Sequence, residues 1–198
     1  VAGFRKAGLQ RGDCFAITSF HDIMYPMVLL AGVGAGGVFS GTNPAYRVAE
    51  IRHHIRTAEV KYFIVEPELL DVVLEGATAE GIPKDRIFVF NVRGQAVPEG
   101  FKSCEWLLQQ GEEDRIRITD FETLKTTDVA RLTTSGTTGL PKTACQSHYN
   151  ATSYHTMTTA KSQASDTWNP RNISPLPMSH VATVPGIHAS PFRSGHPI

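Results

Sequence analysis

The feature that most constrains this chain is an alternation. Short apolar runs rich in β-branched and aromatic residues take turns with segments of helical period. "CFAITS" (Cys14–Ser19), "GGVFS" (Gly36–Ser40), "KYFIVE" (Lys61–Glu66) and "RIFVFN" (Arg86–Asn91) are each bounded by turn residues. Such runs read as strands buried on both faces. Between them, Pro44 to Arg56 reads as a helix: Thr42 or Asn43 can cap it, Pro44 suits its first turn, and Tyr46, Val48, Ile51 and Ile55 form one apolar stripe. A second helix is expected over Glu68 to Glu80, with Leu69, Val72 and Val73 facing inward. Strand, helix, strand, helix predicts an α/β fold: a mainly parallel sheet flanked by helices, joined by right-handed crossovers.

Composition narrows the function. Nineteen basic and nineteen acidic residues cancel, which gives no footprint for nucleic acid or an anionic membrane. The longest apolar run, "MYPMVLLAGVGAGGVF", is about 16 residues and glycine-rich, short of the ~20 a membrane span needs. Cys14, Cys104 and Cys145 are widely spaced and fit a reducing compartment, so a cytoplasmic location is expected. The chain starts at Val1 and stops where "SGHPI" looks like a strand beginning, so both ends read as cuts through a larger protein.

After a charged, glycine-containing stretch (Gly94 to Gly111, read as a surface excursion with a helical patch at "CEWLLQQ"), "DVARL" (Asp128–Leu132) is another strand candidate. It runs into "TTSGTTGLPK", Thr133 to Lys142, then "TACQS" (Thr143–Ser147) and a polar helix from about His148 to Lys161. Glycines in this loop let successive N–H groups point to one side and form a nest for anions. The hydroxyls of Thr134, Ser135, Thr137 and Thr138 add donors, Lys142 adds a point charge, and Pro141 stiffens the exit. A solvated Ser/Thr/Gly linker is the other reading; it accounts for the composition but not for the flanking strands or the Pro-Lys ending. GxxxxGK[ST] is absent, since Leu140 and Pro141 separate Gly139 from Lys142.

"TTSGTTGLPK" resembles the phosphate-binding signature of the adenylate-forming (AMP-binding) enzymes, a superfamily that includes acyl-CoA synthetases and 4-coumarate-type CoA ligases. Two further segments keep the family's order: "GDCFAI" through "GGVFSGTNPAYRVAEIRHHI", and "SPLPMSH" (Ser174–His180), similar to the strand ending in Leu-Pro-x-x-His. The resemblance implies that residues 1–198 are an incomplete N-terminal AMP-binding domain lacking the C-terminal domain. It implies an activity for the parent protein: ATP and Mg2+ activate a small-molecule carboxylic acid as an acyl-adenylate, which is then passed to the thiol of CoA. On that basis Thr134, Ser135, Gly136, Thr137, Thr138, Gly139 and Lys142 would bind the nucleotide's phosphates, and His180 would act between acyl group and nucleotide. The fragment alone is expected to be inactive. The alternative is a non-catalytic, truncated nucleotide-binding or interaction module. Thr143 stands where the family usually has glycine, and Ala182 where aryl-CoA ligases often carry tyrosine.

Other motifs are set aside. "GVGAGG" (Gly32–Gly37) fits GxGxxG in letters, but a helix stopping at glycines accounts for it better than a dinucleotide fold. No metal site is expected: His53 and His54 point to different helix faces, His148 and His155 lack a third ligand, and HExxH is absent.

Overall fold

A computed structural model describes residues 1–134, 140–163 and 176–180. Strands β1 (Cys14–Thr18), β2 (Val38–Gly41), β3 (Val60–Val65), β4 (Ile87–Val89), β5 (Lys102–Ser103), β6 (Asp128–Thr133) and β7 (Thr143–Ser147) form one sheet in the order β5-β4-β3-β1-β2-β6-β7. The pairs from β5 through to β6 are parallel. The expected parallel sheet is therefore present, and its departure is at one edge, where β7 returns antiparallel to β6.

Alternation along the strands sorts side chains between two cores. Phe15, Ile17, Phe39, Tyr62, Ile64 and Phe88 face one side, with Tyr25 and Leu29 of α2 (Tyr25–Gly34). Ala16, Val38, Phe63, Val65 and Val89 face the other, with Ile51 and Ile55 of α3 (Val48–Ala58) and Val73 and Ala77 of α4 (Leu70–Ala79). The α2 helix ends as the glycines foretell. Gly36 takes a left-handed conformation (φ 105°), its N–H meets the Val33 carbonyl, and the Gly37 N–H meets the Gly32 carbonyl. Gly32 is also a contact point: a Cβ there would lie 2.3 Å from Cζ of Phe15.

Helix α3 starts four residues later than expected. The Asn43 side chain accepts from the Ala45 N–H, closing a turn on its own chain rather than capping a helix. The true start is at Arg47, whose N–H donates to the Glu50 carboxylate at 2.8 Å. The helix at Glu68 opens instead as a 3-10 turn over Pro67–Leu69, and Leu70 takes an inward place beside Val73. The stretch read as a surface excursion contributes β5 to the sheet edge and α5 (Cys104–Leu108) to the first core, through Cys104 and Leu107. Two short helices, α1 (Ala2–Lys6) and α6 (Phe121–Thr126), were not anticipated, and α7 (His148–Gln163) follows β7 directly.

Candidate functional site

The connections that leave β1 and β2 go to opposite faces, through α2 and α3. Adjacent parallel strands whose connections diverge open a crevice at their carboxyl ends, where α/β proteins bind ligands. Strand β6 lies beside β2, so the segment after Thr133 emerges at this same edge.

That segment leaves through a closed neck. Ladder pairing runs up to Thr133 opposite Thr143. Beyond it the Thr134 N–H donates to the Lys142 carbonyl at 2.8 Å, and the Lys142 N–H donates to Thr134 Oγ1 at 3.3 Å. Of the residues expected to hold phosphate, Thr134 and Lys142 are thus brought together, both solvent-exposed. Ser135, Gly136, Thr137, Thr138 and Gly139 lie outside the described residues. His180 sits in a turn whose N–H donates to the Pro177 carbonyl at 2.9 Å. The turn rests on the end of β2, where a Cβ on Gly41 would lie 2.5 Å from the Ser179 carbonyl oxygen, and Met178 packs on the first core. His180 and the neck therefore share one edge of the sheet, on neighbouring strands.

Two histidines that motif reasoning set aside sit beneath this neck. His53 Nε2 lies 2.6 Å from the Pro141 carbonyl oxygen, which can only accept, so the imidazole donates. His54 is 1% exposed. The Ser40 hydroxyl donates to the Arg131 carbonyl at 2.6 Å, so its one hydrogen is used, and His54 Nε2–H donates to Ser40 Oγ at 2.9 Å. Nδ1 of His54 then carries no proton, and it has no hydrogen-bond partner among the described residues. Burial, with the charge of neighbouring His53 second, pushes the His54 pKa down to about 4, so the ring is neutral at physiological pH. No metal-ligand spacing marks these histidines; their partners are backbone carbonyls 88 residues from His53 and, through Ser40, 91 residues from that serine.

A cleft of about 100 Å³ runs between α3 and the outgoing arm of the hairpin, lined by Tyr46, Ala49, His53, His54, Leu140 and Pro141 among others. A larger cavity, about 250 Å³, lies between α2 and α5. Its walls are mainly apolar (Met24, Met27, Val28, Leu107) and include no Lys or Arg among the described residues, so it does not suit a phosphate chain.

The sequence profile of the AMP-binding enzymes matches residues 2–198. The chain belongs to that family. An acyl-CoA synthetase of Alternaria alternata, ACTT5, is 82% identical over 198 residues, 100% of this chain and 34% of that protein. The acyl-CoA ligase azaF of Aspergillus niger is 42% identical over 199 residues, 100% of this chain and 37% of its own length. Among solved structures, ATP-bound MatB from Rhodopseudomonas palustris superimposes with a TM-score of 0.75 at 26% identity, over 98% of this chain and 37% of that one. The chain spans about a third of the length of the curated relatives it matches.

Magnesium accompanies ATP in adenylate-forming chemistry, and a magnesium ion is held by oxygen ligands. Residues 133–142 offer hydroxyls, amides and one lysine but no carboxylate. Glu50, on the wall of the cleft, is committed to the Arg47 N–H. This donor set suits phosphate oxygens and does not suit a hard divalent cation, which is held through carboxylates and phosphates.

Proposed function

We propose that residues 1–198 form a nucleotide-binding domain of an acid–thiol ligase, with the segment from Thr134 to Lys142 as the cradle for the β- and γ-phosphates of ATP. The observation that carries this reading is the neck. Paired bonds between Thr134 and Lys142 bring a lysine and a hydroxyl to the mouth of a glycine- and hydroxyl-rich loop, at the carboxyl edge of a parallel sheet.

The reaction joins two anions. A carboxylate oxygen of the substrate attacks the α-phosphorus, the bond from that phosphorus to the β-bridging oxygen breaks, and pyrophosphate leaves. A thiol sulfur then attacks the acyl carbon, and AMP departs with the carboxylate oxygen. The loop's task is to hold the leaving pyrophosphate and spread its charge. Thr134, Ser135, Thr137 and Thr138 supply donors, Gly136 and Gly139 allow the backbone to turn its amides inward, and Lys142 supplies the positive charge. His180, on the end of β2, stands where the acyl group meets the nucleotide. CoA as acceptor is supported by the names of the relatives, which are CoA ligases and synthetases.

In the complete protein, Lys142→Ala is expected to lower ATP–pyrophosphate exchange about 100-fold, the scale for losing one positioned charge-stabilising group. The melting temperature should hardly move, because Lys142 is exposed. Exchange unchanged by Lys142→Ala would overturn the reading.

A further inference from the structure

We propose that the adjacent histidines of α3 clamp both arms of the β6–β7 hairpin, and that His53 is a positioning residue for Lys142. The inference rests on the reading of this loop as the phosphate cradle. Neighbouring residues on a helix point about 100° apart. His54 uses that difference to reach inward, through Ser40, to the carbonyl of Arg131 on the incoming arm. His53 reaches the carbonyl of Pro141 on the outgoing arm. One helical step thus grips the chain before the loop and after it.

The outgoing arm needs such a hold. Proline has no N–H, so its carbonyl is the only backbone group through which Pro141 can be hydrogen-bonded. Leu140, next to it, is 72% exposed, and a cleft rather than filled core separates this arm from α3. The bond from His53 is therefore a directional restraint on the residue immediately before Lys142. Lys142 is in turn tied to Thr134 through both bonds of the neck, its carbonyl accepting from the Thr134 N–H and its own N–H donating to Thr134 Oγ1. A shift at Pro141 moves the lysine and loosens the neck together.

The incoming arm is held differently. His54 is neutral and buried, and Tyr46 packs edge-on against its ring with centroids 6.2 Å apart. That arm is paired on both sides within the sheet, by β2 and β7, whereas the outgoing arm is the edge strand and pairs with β6 alone. The two histidines thus have separable roles: loss of His54 affects the fold, and loss of His53 affects the geometry of the phosphate cradle.

Two measurements on the complete protein test this. In the absence of nucleotide, His53→Ala should speed hydrogen exchange at the Thr134 and Lys142 amides about tenfold, the scale for one lost hydrogen bond. His53→Gln, which can still donate to a carbonyl, should restore protection. His53→Met, similar in length but without a donor, should behave like alanine and covers the case in which the alanine variant misfolds. In steady-state kinetics His53→Ala should raise KM for ATP about tenfold and leave KM for the carboxylic acid unchanged. In a Lys142→Ala background the rise should be clearly smaller, because the part that acts through the lysine side chain is gone and only the loosened neck remains. Amide protection unchanged in both His53→Ala and His53→Met overturns the clamp. An equal rise in KM for ATP with and without Lys142 overturns the positioning role. The exchange measurement needs no ATP, so it judges the clamp even if Lys142→Ala shows that the loop binds no nucleotide.

Discussion

The two sides of this sheet are built on different principles. Strands β1, β3 and β4 are sealed by apolar side chains on both faces: Phe15, Ile17, Phe63, Ile64 and Phe88 have no exposed surface. On the other side, β7 has no buried residue, and β6 meets β2 through a polar bridge in which the buried Ser40 hydroxyl joins His54 to Arg131. The sealed side is held by area, which is non-directional and tolerant of small shifts. On the hairpin side β6 reaches the first core through Val129, Ala130 and Leu132, while β7 and the neck are held by bonds with fixed direction. A loop with the proposed role of presenting phosphate donors in one arrangement gains from directional restraint at its neck.

The largest effect expected from this contrast is in the sealed half. Phe15 touches Phe4 and Phe39 at ring-centroid distances of 5.3 and 6.0 Å and fills the space left by Gly32. Phe15→Ala should cost about 3–5 kcal/mol in urea unfolding, the range for truncating a buried aromatic. On the hairpin side, exposed Cys145→Ala on β7 should stay within about 0.5 kcal/mol. Equal costs at the two sites would break the comparison.

The next effect is a pH dependence seated in the polar bridge. The His54 pKa is about 4 in the folded protein and 6.5 as the reference value. Below pH 6.5 the unfolded chain takes up a proton that the folded one refuses, so stability is lost as pH falls from about 6.5 to about 4. It is fully present above that window. By linkage the loss is about 3 kcal/mol. His54→Gln keeps a donor for Ser40 but does not titrate, so its stability should stay flatter across the same window. His148, whose pKa burial also lowers, contributes to both proteins and cancels in the difference. Unfolding curves at pH 7 and pH 4.5 for the two proteins measure this, and parallel losses would show that the bridge does not carry the acid sensitivity.

The same division explains what was legible beforehand. β1, β3 and β4 could be found within a few residues because an apolar run between turn residues has few other uses in a soluble protein. The glycine stop of α2 was readable for the same local reason. β5 was not, since a two-residue strand is too short to show a period, whereas α5 was readable as the helical patch at "CEWLLQQ". α6 did carry a signal, Asp120, whose carboxylate accepts from the Thr123 N–H at 2.7 Å, but its six residues bury no side chain fully. At the site, Thr134 and Lys142 could be named from the loop's composition and its resemblance to a signature. His53 could not. Sequence spacing relates a histidine only to other side chains, while the partner of His53 is a carbonyl 88 residues away that no side-chain pattern encodes.

A small effect is expected where the two halves meet through charge. Glu59, at the end of α3, has a positive φ of 55° and pairs with Arg131 of β6 at 2.6 Å. Glycine at this position would relieve about 1 kcal/mol of backbone strain. It would also loosen the unfolded chain, at a cost of about 0.4–1 kcal/mol. The lost pair adds little, because Glu59 is 71% exposed and such pairs contribute about 0–1 kcal/mol. Arg131 would keep its bonds to the Ala58 carbonyl and to Asp128. These contributions nearly cancel, so Glu59→Gly should shift stability by less than about 1 kcal/mol. A loss of about 3 kcal/mol would instead be the signature of breaking a buried pair. It would mean that β6 is held to the rest of the sheet by this surface strap rather than by the His54–Ser40–Arg131 bridge. Urea midpoints at low and high salt separate the two cases, since only a strap that matters in the wild type would make the variant's deficit shrink as salt screens it.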